Sequence, residues 1–159
     1  MNKFTILVPV PADIYTICVI ETACHLSPWS PEAYLSELDR SDSIVFKAES
    51  DGGKIIGFIL GRMVAGIGFN ERDAEIYNIG VHPDFEGQGA GSQLLNRFLG
   101  RCKELVVASL WLEVRESNSK AIRFYSGKGF TKQGTRKSFY RDPVEDAVIM
   151  RLSVRSEAS

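Results

Sequence analysis

The sequence predicts one α/β domain: a mixed, mostly antiparallel sheet flanked by helices, in the order β-α-α-β-β-β-α-β-α-β-β. Three observations predict it. Short β-branched runs alternate with segments of helical period across 159 residues, the size of one ordinary domain. The stretch Val81-His82-Pro83-Asp84-Phe85-Glu86-Gly87-Gln88-Gly89-Ala90-Gly91-Ser92 joins a β-like run to an amphipathic helix through three glycines at alternate positions. Residues 106–114 are almost wholly apolar, as expected of a strand covered on both faces.

Taken in order, residues 4–10 are β-branched and apolar and predict a first strand. Residues 11–24 predict a helix, because Pro11 suits a first turn and Ile14, Ile17, Cys18 and Ala23 form an apolar stripe. Residues 25–30 break it. Ser30 then caps a second helix with Pro31 at its first position, ending near Arg40. Residues 43–49 and 54–64 form a hairpin around Asp51-Gly52-Gly53. Residues 65–72 are a loop and residues 73–81 the fourth strand. The helix of about residues 92–105 gathers Leu94, Leu95, Phe98, Leu99 and Cys102 on one face. After the strand at 106–114, Ser117-Asn118 caps a short helix over 119–127, which Gly129 ends. A strand begins at Phe130, residues 136–143 form a loop, and residues 146–154 form the last strand. The domain is expected to span residues 1–154, with 155–159 frayed. No repeat, low-complexity segment or linker interrupts it.

Bulk properties exclude several classes. Apolar residues make up 44% and charged residues 25%, as in soluble globular proteins. A net charge of −1 exerts no global pull toward nucleic acid or anionic membrane, and neither partner is expected. No apolar run is long enough to span a bilayer. Residues 1–4 lack the features of a signal peptide. Cys18, Cys24 and Cys102 fit neither zinc spacing nor a disulfide framework, which points to a reducing cytoplasm; no metal site is readable. Between Arg115 and Arg141 lie eight basic residues and one acid, Glu116. That stretch is either a solvated surface or a positive rim for a polyanionic cofactor or an acidic partner.

The glycine stretch is either a plain turn or an anion cradle. Glycine lets a ligand approach the main chain closely, and a following helix turns its free N–H groups and positive dipole end toward it. Gly91 is followed by Ser92-Gln93, so this is not a Walker A loop. Neither Ser92 nor Leu94 is glycine, so it is not a dinucleotide fingerprint. The remaining pattern, Glu86-Gly87-Gln88-Gly89-Ala90-Gly91, resembles the acetyl-CoA loop of the GNAT acetyltransferases, Gln/Arg-x-x-Gly-x-Gly/Ala. Further stretches are similar to the RimI-like (ribosomal-protein-alanine N-acetyltransferase) branch, which acetylates protein N-termini. They are Leu110-Trp111-Leu112-Glu113-Val114-Arg115 with Ser117-Asn118, Ala121-Ile122-Arg123-Phe124-Tyr125 with Gly129-Phe130, and Glu145-Asp146-Ala147-Val148-Ile149-Met150. The resemblance covers almost the whole chain, follows the GNAT order of elements and is strongest over residues 76–150.

It implies acetyl-CoA as cofactor and a protein or peptide N-terminus as acceptor, that of a ribosomal protein being one candidate. Amine acetylation needs a neutral amine, yet an α-amino group has a pKa of about 8 and a lysine about 10.4, so a base is required. Glu113, a carboxylate in an apolar strand on the side of Trp111, is either that general base or the partner of a structural ion pair with Arg115 or another cation. Tyr125 stands where the family has its general acid, and is otherwise a core tyrosine. The resemblance places the cofactor against Ile79, Gly80, Val81, Gly87, Gln88, Gly89, Ala90, Gly91 and Ser92. One N–H of the fourth strand is implied to bind the developing oxyanion. Asn118 is a cofactor contact or a simple N-cap. Trp29, in Pro28-Trp29-Ser30, and Tyr140 are implied to line the acceptor groove. His25 is a possible acceptor contact, and His82 reads as surface.

The sequence also departs from the family. Glu86 replaces Gln or Arg, Lys128 replaces an apolar residue, Gly127 loosens a helix end, and Ser138-Phe139-Tyr140 replaces Asn-Tyr-Tyr. The segments bearing Glu32, Glu37, Glu71, Asp73 and Glu75 are those the family folds around the acceptor mouth, and residues 115–141 would suit the cofactor phosphates. The alternatives are a GNAT that acetylates lysine side chains or a small amine, and a non-catalytic CoA-binding regulator.

Overall fold

The computed structural model describes residues 3–68 and 70–155. The elements are β1 (Phe4–Leu7), α1 (Ile14–Ala23), α2 (Pro31–Leu38), β2 (Ser43–Ser50), β3 (Ile55–Ala65), β4 (Arg72–Val81), α3 (Ala90–Glu104), β5 (Ser109–Arg115), α4 (Ser119–Gly127), β6 (Thr131–Tyr140) and β7 (Glu145–Ser153). They form one seven-stranded sheet in the order β1-β2-β3-β4-β5-β7-β6. All neighbours are antiparallel except β4 and β5, which run parallel. Among the described residues, no helix is long and apolar enough to cross a membrane.

Two apolar layers sandwich the sheet. On one face, Leu94, Leu95, Phe98 and Cys102 of α3 pack against Ile56, Ile59, Ile76, Leu110 and Leu112, and α4 adds Ile122 and Phe124. On the other face, Ile14, Ile17 and Ile20 of α1 and Tyr34 of α2 cover Phe58 and Leu60. Strand β3 therefore buries both faces, which explains its continuous apolar run. The same reading fails for β5. Leu110, Leu112 and Val114 are buried, but Trp111, Glu113 and Arg115 on the opposite face are only partly covered. The cluster under α1 and α2 contains no β5 residue.

The strand also starts at Ser109, three residues later than the apolar run suggests. Residues 105–107 close α3 instead. Val107 N–H reaches back to Cys102 O at 2.9 Å, and Val106 N–H to Lys103 O at 3.1 Å. This closure needs a left-handed residue between them, normally glycine, and Val106 supplies it with φ 59°. Strand β6 differs the other way, running on to Tyr140 through the expected loop. Its ladder is interrupted between Arg136 and Tyr140, where Ser138 N–H donates to Asp146 Oδ1 at 2.8 Å in place of a ladder bond. In the tail expected to fray, Arg155 bonds Glu71 at 3.2 Å, and residues 156–159 lie outside the described residues.

A bulge in β4 bears on the site. Leu60 pairs with Asn78, but Gly61 pairs with Ile76, so Tyr77 is the extra residue. A Cβ on Gly61 would lie 2.2 Å from Glu75 O and 2.6 Å from a Phe98 ring carbon. Only glycine lets β3 approach β4 and α3 this closely.

The Val106 closure is testable. A β-branched residue in the left-handed region costs about 1–2 kcal/mol, whereas glycine loses about 0.5–1 kcal/mol of chain entropy. Val106→Gly should therefore stabilise the protein by roughly 0.5–1 kcal/mol, seen as a higher urea midpoint. A lower midpoint would mean that the exposed valine side chain outweighs the strain.

Candidate active site

Strands β4 and β5 pair through Asp73–Ser109, Ala74–Leu110, Glu75–Trp111 and Ile76–Leu112, and then part. Strand β4 stays on β3 as far as Val81–Gly57, and β5 stays on β7 as far as Arg115–Ala147. The wedge between them opens into two clefts. One, of about 320 Å³, lies between the 24–29 loop and Glu75–Ile79 on one side and Glu113, Arg115 and Tyr140 on the other. The second, of about 580 Å³, runs from Ile79 and Gly80 past the glycine stretch to α4. They meet at Cys24, Leu26, Ile79, Asn118, Ala121 and Tyr125.

The second cleft suits an anion at its glycine end. Gly87 and Gly89 have φ of 75° and 91°, and a Cβ at either would meet no atom within 4 Å. Gly89 is the N-cap of α3 and has no side chain to bond the helix's first N–H groups, which stay available to a ligand. At α4 the cap is filled: Asn118 Oδ1 accepts from Ala121 N–H at 3.1 Å. The unusual Glu86 does not stand alone, because Lys120 Nζ lies 2.9 Å from its Oε2.

In the first cleft, Glu113 Oε1 pairs with Arg136 Nε at 2.9 Å. Its Oε2 is buried and has no hydrogen-bond partner among the described residues. Arg115, the partner considered from sequence, instead contacts Glu145 at 3.4 Å and lies over the Tyr140 ring at 4.3 Å. Glu75 lines the same cleft. Burial first and the Glu113 charge second raise its pKa, against the lowering effect of Arg136. Tyr125 is 6% exposed and packs between Phe124 and Phe130, with ring centroids at 5.3 and 5.5 Å. Burial, with Tyr140 nearby, pushes its phenol above the usual range. It is thus a core tyrosine that also lines both clefts, and it stays protonated at neutral pH.

Comparison with known proteins decides the family. The model of the acetyltransferase (GNAT) family matches residues 14–130. The chain belongs to the GNAT acetyltransferases. It is 34% identical over 137 residues to the ribosomal protein bS18-alanine N-acetyltransferase of Escherichia coli K12, covering 85% of this chain and 87% of that one. The crystal structure of the E. coli ribosomal-protein-S18-alanine N-acetyltransferase superposes with a TM-score of 0.83 at 31% identity, over 98% of this chain and 97% of that one. Ard1 from Thermoplasma volcanium gives 0.86 at 27% identity, over 98% and 100%. The protein is therefore a GNAT N-acetyltransferase of the RimI-like branch. Its donor is acetyl-CoA, whose thioester supplies the acetyl group, and the open cradle at Gly87 and Gly89 with the uncapped α3 terminus fits the pyrophosphate.

Of the residues expected at the cofactor, Ile79, Gly80, Val81, Gly87, Gly89, Ala90, Gly91, Ser92 and Asn118 line the second cleft, and Gln88 does not. Trp29, Glu113, Tyr125 and Tyr140 meet in the first. His25 lines it too, whereas His82 lies outside both clefts and accepts from Asp84 N–H at 3.2 Å. The charge expectations change. Among the acids expected at the acceptor mouth, only Glu75 lines the cleft. Glu37 is buried against Arg62, Asp73 accepts from Trp111 Nε1 at 2.9 Å, and Glu71 bonds Arg155. Of the basic stretch 115–141, only Lys120 lines the second cleft, where phosphates were expected, while Arg115 lines the first. Sequence reasoning missed Arg136 as the partner of Glu113, and Cys24 and Leu26 at the junction. Strand pairing and loop folding bring these together, and no motif marks them.

Glu75 carries a pH signature. Its pKa is raised in the fold, so its contribution is present below the ordinary carboxylate range of about 4.3 and is lost as pH rises through the folded value. Glu75→Gln should leave the melting temperature near pH 4 unchanged and raise it at pH 7. Equal shifts at both pH values would show that the carboxylate carries no such penalty.

Proposed function

We propose that this protein transfers acetyl from acetyl-CoA to the N-terminal α-amine of a protein, with Glu113 as general base and Tyr125 as general acid. The buried, unpartnered Oε2 of Glu113 carries the reading. Glu113 lines a cleft that joins the other cleft at Tyr125. An arriving amine, or a water bound to it, is the missing donor to that oxygen. Arg136 holds the other oxygen at 2.9 Å and so orients the carboxylate. Glu113 takes the proton from the attacking amine, directly or through that water. Tyr125, kept neutral by burial, gives its proton to the departing sulfur. Asn118 caps α4 and so sets the position of Tyr125. The parted edge of β4 offers an N–H to the acyl oxygen as negative charge develops there.

Two features favour an α-amine. It ionises about two pH units below lysine, a step within reach of one carboxylate. The acceptor cleft is small, about 320 Å³, and is lined by Trp29, Tyr77 and Tyr140, which suits a chain end with a small first side chain. The bS18-alanine N-acetyltransferases similar to this chain make a ribosomal protein beginning with alanine the first acceptor to test. A cytoplasmic location follows from that acceptor.

The test is a panel of peptides with acetyl-CoA, read by thiol release and mass mapping. Acetylation is expected at the first residue of alanine peptides. Internal lysine acetylation with free α-amines untouched would replace this reading with a lysine acetyltransferase. CoA binding with no turnover on any amine would replace it with a regulator. Glu113→Gln should lower turnover by about 10²–10⁴-fold and leave acetyl-CoA affinity unchanged, with the defect shrinking as pH rises. A normal rate at neutral pH removes Glu113 as the base. Separately, a bulky side chain at Gly89 should abolish CoA binding in calorimetry, because it fills the open cradle; full affinity in a folded variant would place the pyrophosphate elsewhere.

A further inference from the structure

A buried carboxylate behind the acceptor cleft has no place in the chemistry above. Glu21 lies on α1, is 3% exposed and sits beneath the loop that leads to Trp29. Its Oε2 accepts from the Tyr34 hydroxyl and, at 3.1 Å, from Trp29 N–H. The Tyr34 hydroxyl accepts in turn from Asn78 Nδ2 at 3.2 Å. Burial and then the Glu21 bond raise the Tyr34 pKa, so its hydroxyl remains a donor. One carboxylate thus ties together α1, α2, the 24–30 loop and β4 just past its bulge at Tyr77.

Two of the tied residues reach the first cleft, and Tyr77 joins them there. Trp29, Tyr77 and Asn78 line the first cleft, whereas Glu21 and Tyr34 stand behind it. The Trp29 ring stacks on Tyr34 at 5.5 Å and lies 5.9 Å from Tyr77. Its backbone N–H has no strand or helix partner and is held by Glu21 alone among the described residues. A buried charge is costly unless its bonds are satisfied, so the carboxylate tolerates few positions for its donors. The depth of the Trp29 wall therefore follows from the carboxylate and not from packing alone.

We infer that Glu21 and Tyr34 are positioning residues that fix the Trp29 wall and thereby determine which first side chain the acceptor cleft admits. The inference rests on the proposed acetylation of protein N-termini. Removing the Tyr34 hydroxyl leaves Glu21 with the loop alone and frees Asn78. The wall then gains freedom, and discrimination against larger first residues weakens. Discrimination by pocket size is worth roughly 10–200-fold per methylene, which sets the scale of the effect.

The experiment uses the full chain with Tyr34→Phe, which keeps the ring, and Glu21→Gln, which keeps an acceptor oxygen. Peptides differ only in a first residue of Ala, Ser, Val or Leu. Tyr34→Phe should raise KM for the alanine peptide and reduce the alanine-over-leucine ratio of kcat/KM by about tenfold. Acetyl-CoA affinity and kcat should stay within about twofold, and Glu21→Gln should show a smaller change of the same kind. An unchanged ratio in a variant of lower stability would overturn the inference and leave the network as a core support only. If the wild-type protein acetylates no α-amine, the proposed function fails, and the network is then read by acrylamide quenching of Trp29 in a Trp111→Phe background. Quenching should increase in Tyr34→Phe, and unchanged quenching would overturn the inference by itself.

Discussion

The parting of β4 from β5 after Ile76–Leu112 is the constraint on which the site depends. Parallel strands normally continue as long as both chains remain extended. Here β4 carries an extra residue at Tyr77, which increases its local twist while its antiparallel partner β3 holds it. Strand β5 is held on its other side by β7. The two halves of the sheet therefore diverge, and the wedge exposes main chain and side chains that a continuous sheet would bury. Both clefts occupy that wedge and meet at Tyr125. Gly61 makes the bulge possible, because any side chain there would collide with Glu75 O and Phe98.

Helices α1 and α2 are fastened by polar groups as much as by apolar packing. Lys47 on β2, 9% exposed at its side chain, pairs with Asp13 at 2.8 Å and so anchors the turn that opens α1. Glu37 on α2 pairs with Arg62 on β3 and accepts from Ser43 at 3.0 Å. Glu21 completes the set toward β4 through Tyr34 and Asn78. Such pairs offset their own desolvation only in good geometry, and so they specify position more than they add stability. The α1–α2 layer ends at β4, which leaves Glu113 of β5 lining the first cleft and Trp111 only partly covered.

Charge in the first cleft is balanced locally. Glu75 and Glu113 share a half-buried space, and Arg136 lies close enough to both to lower the cost of that pairing. The exposed Arg136 comes from β6, the edge strand, while both acids come from the interior of the sheet. The same balance appears beside the glycine turn, where Glu86 is matched by Lys120. In both cases the compensating cation lies on a different element from the acid.

The sequence by itself determined the order of elements, the glycine turn into α3 and the strand that carries Glu113. Those features follow from local chemistry: helical and alternating periods, the Ser30 and Asn118 caps, and glycines where the backbone takes a positive φ. Local chemistry misled where a residue works against its own preference. Val106 takes a left-handed conformation suited to glycine, and β6 continues through Ser138 because Asp146 supplies a bond. Only the tertiary structure decided which charges meet. Arg136 reaches Glu113 from 23 positions away in the chain, and Tyr34 joins Asn78 across 44. Those pairings depend on strand register, on one extra residue at Tyr77 and on how far β4 parts from β5. Such quantities are set by packing over the whole sheet, and no short stretch of sequence encodes them.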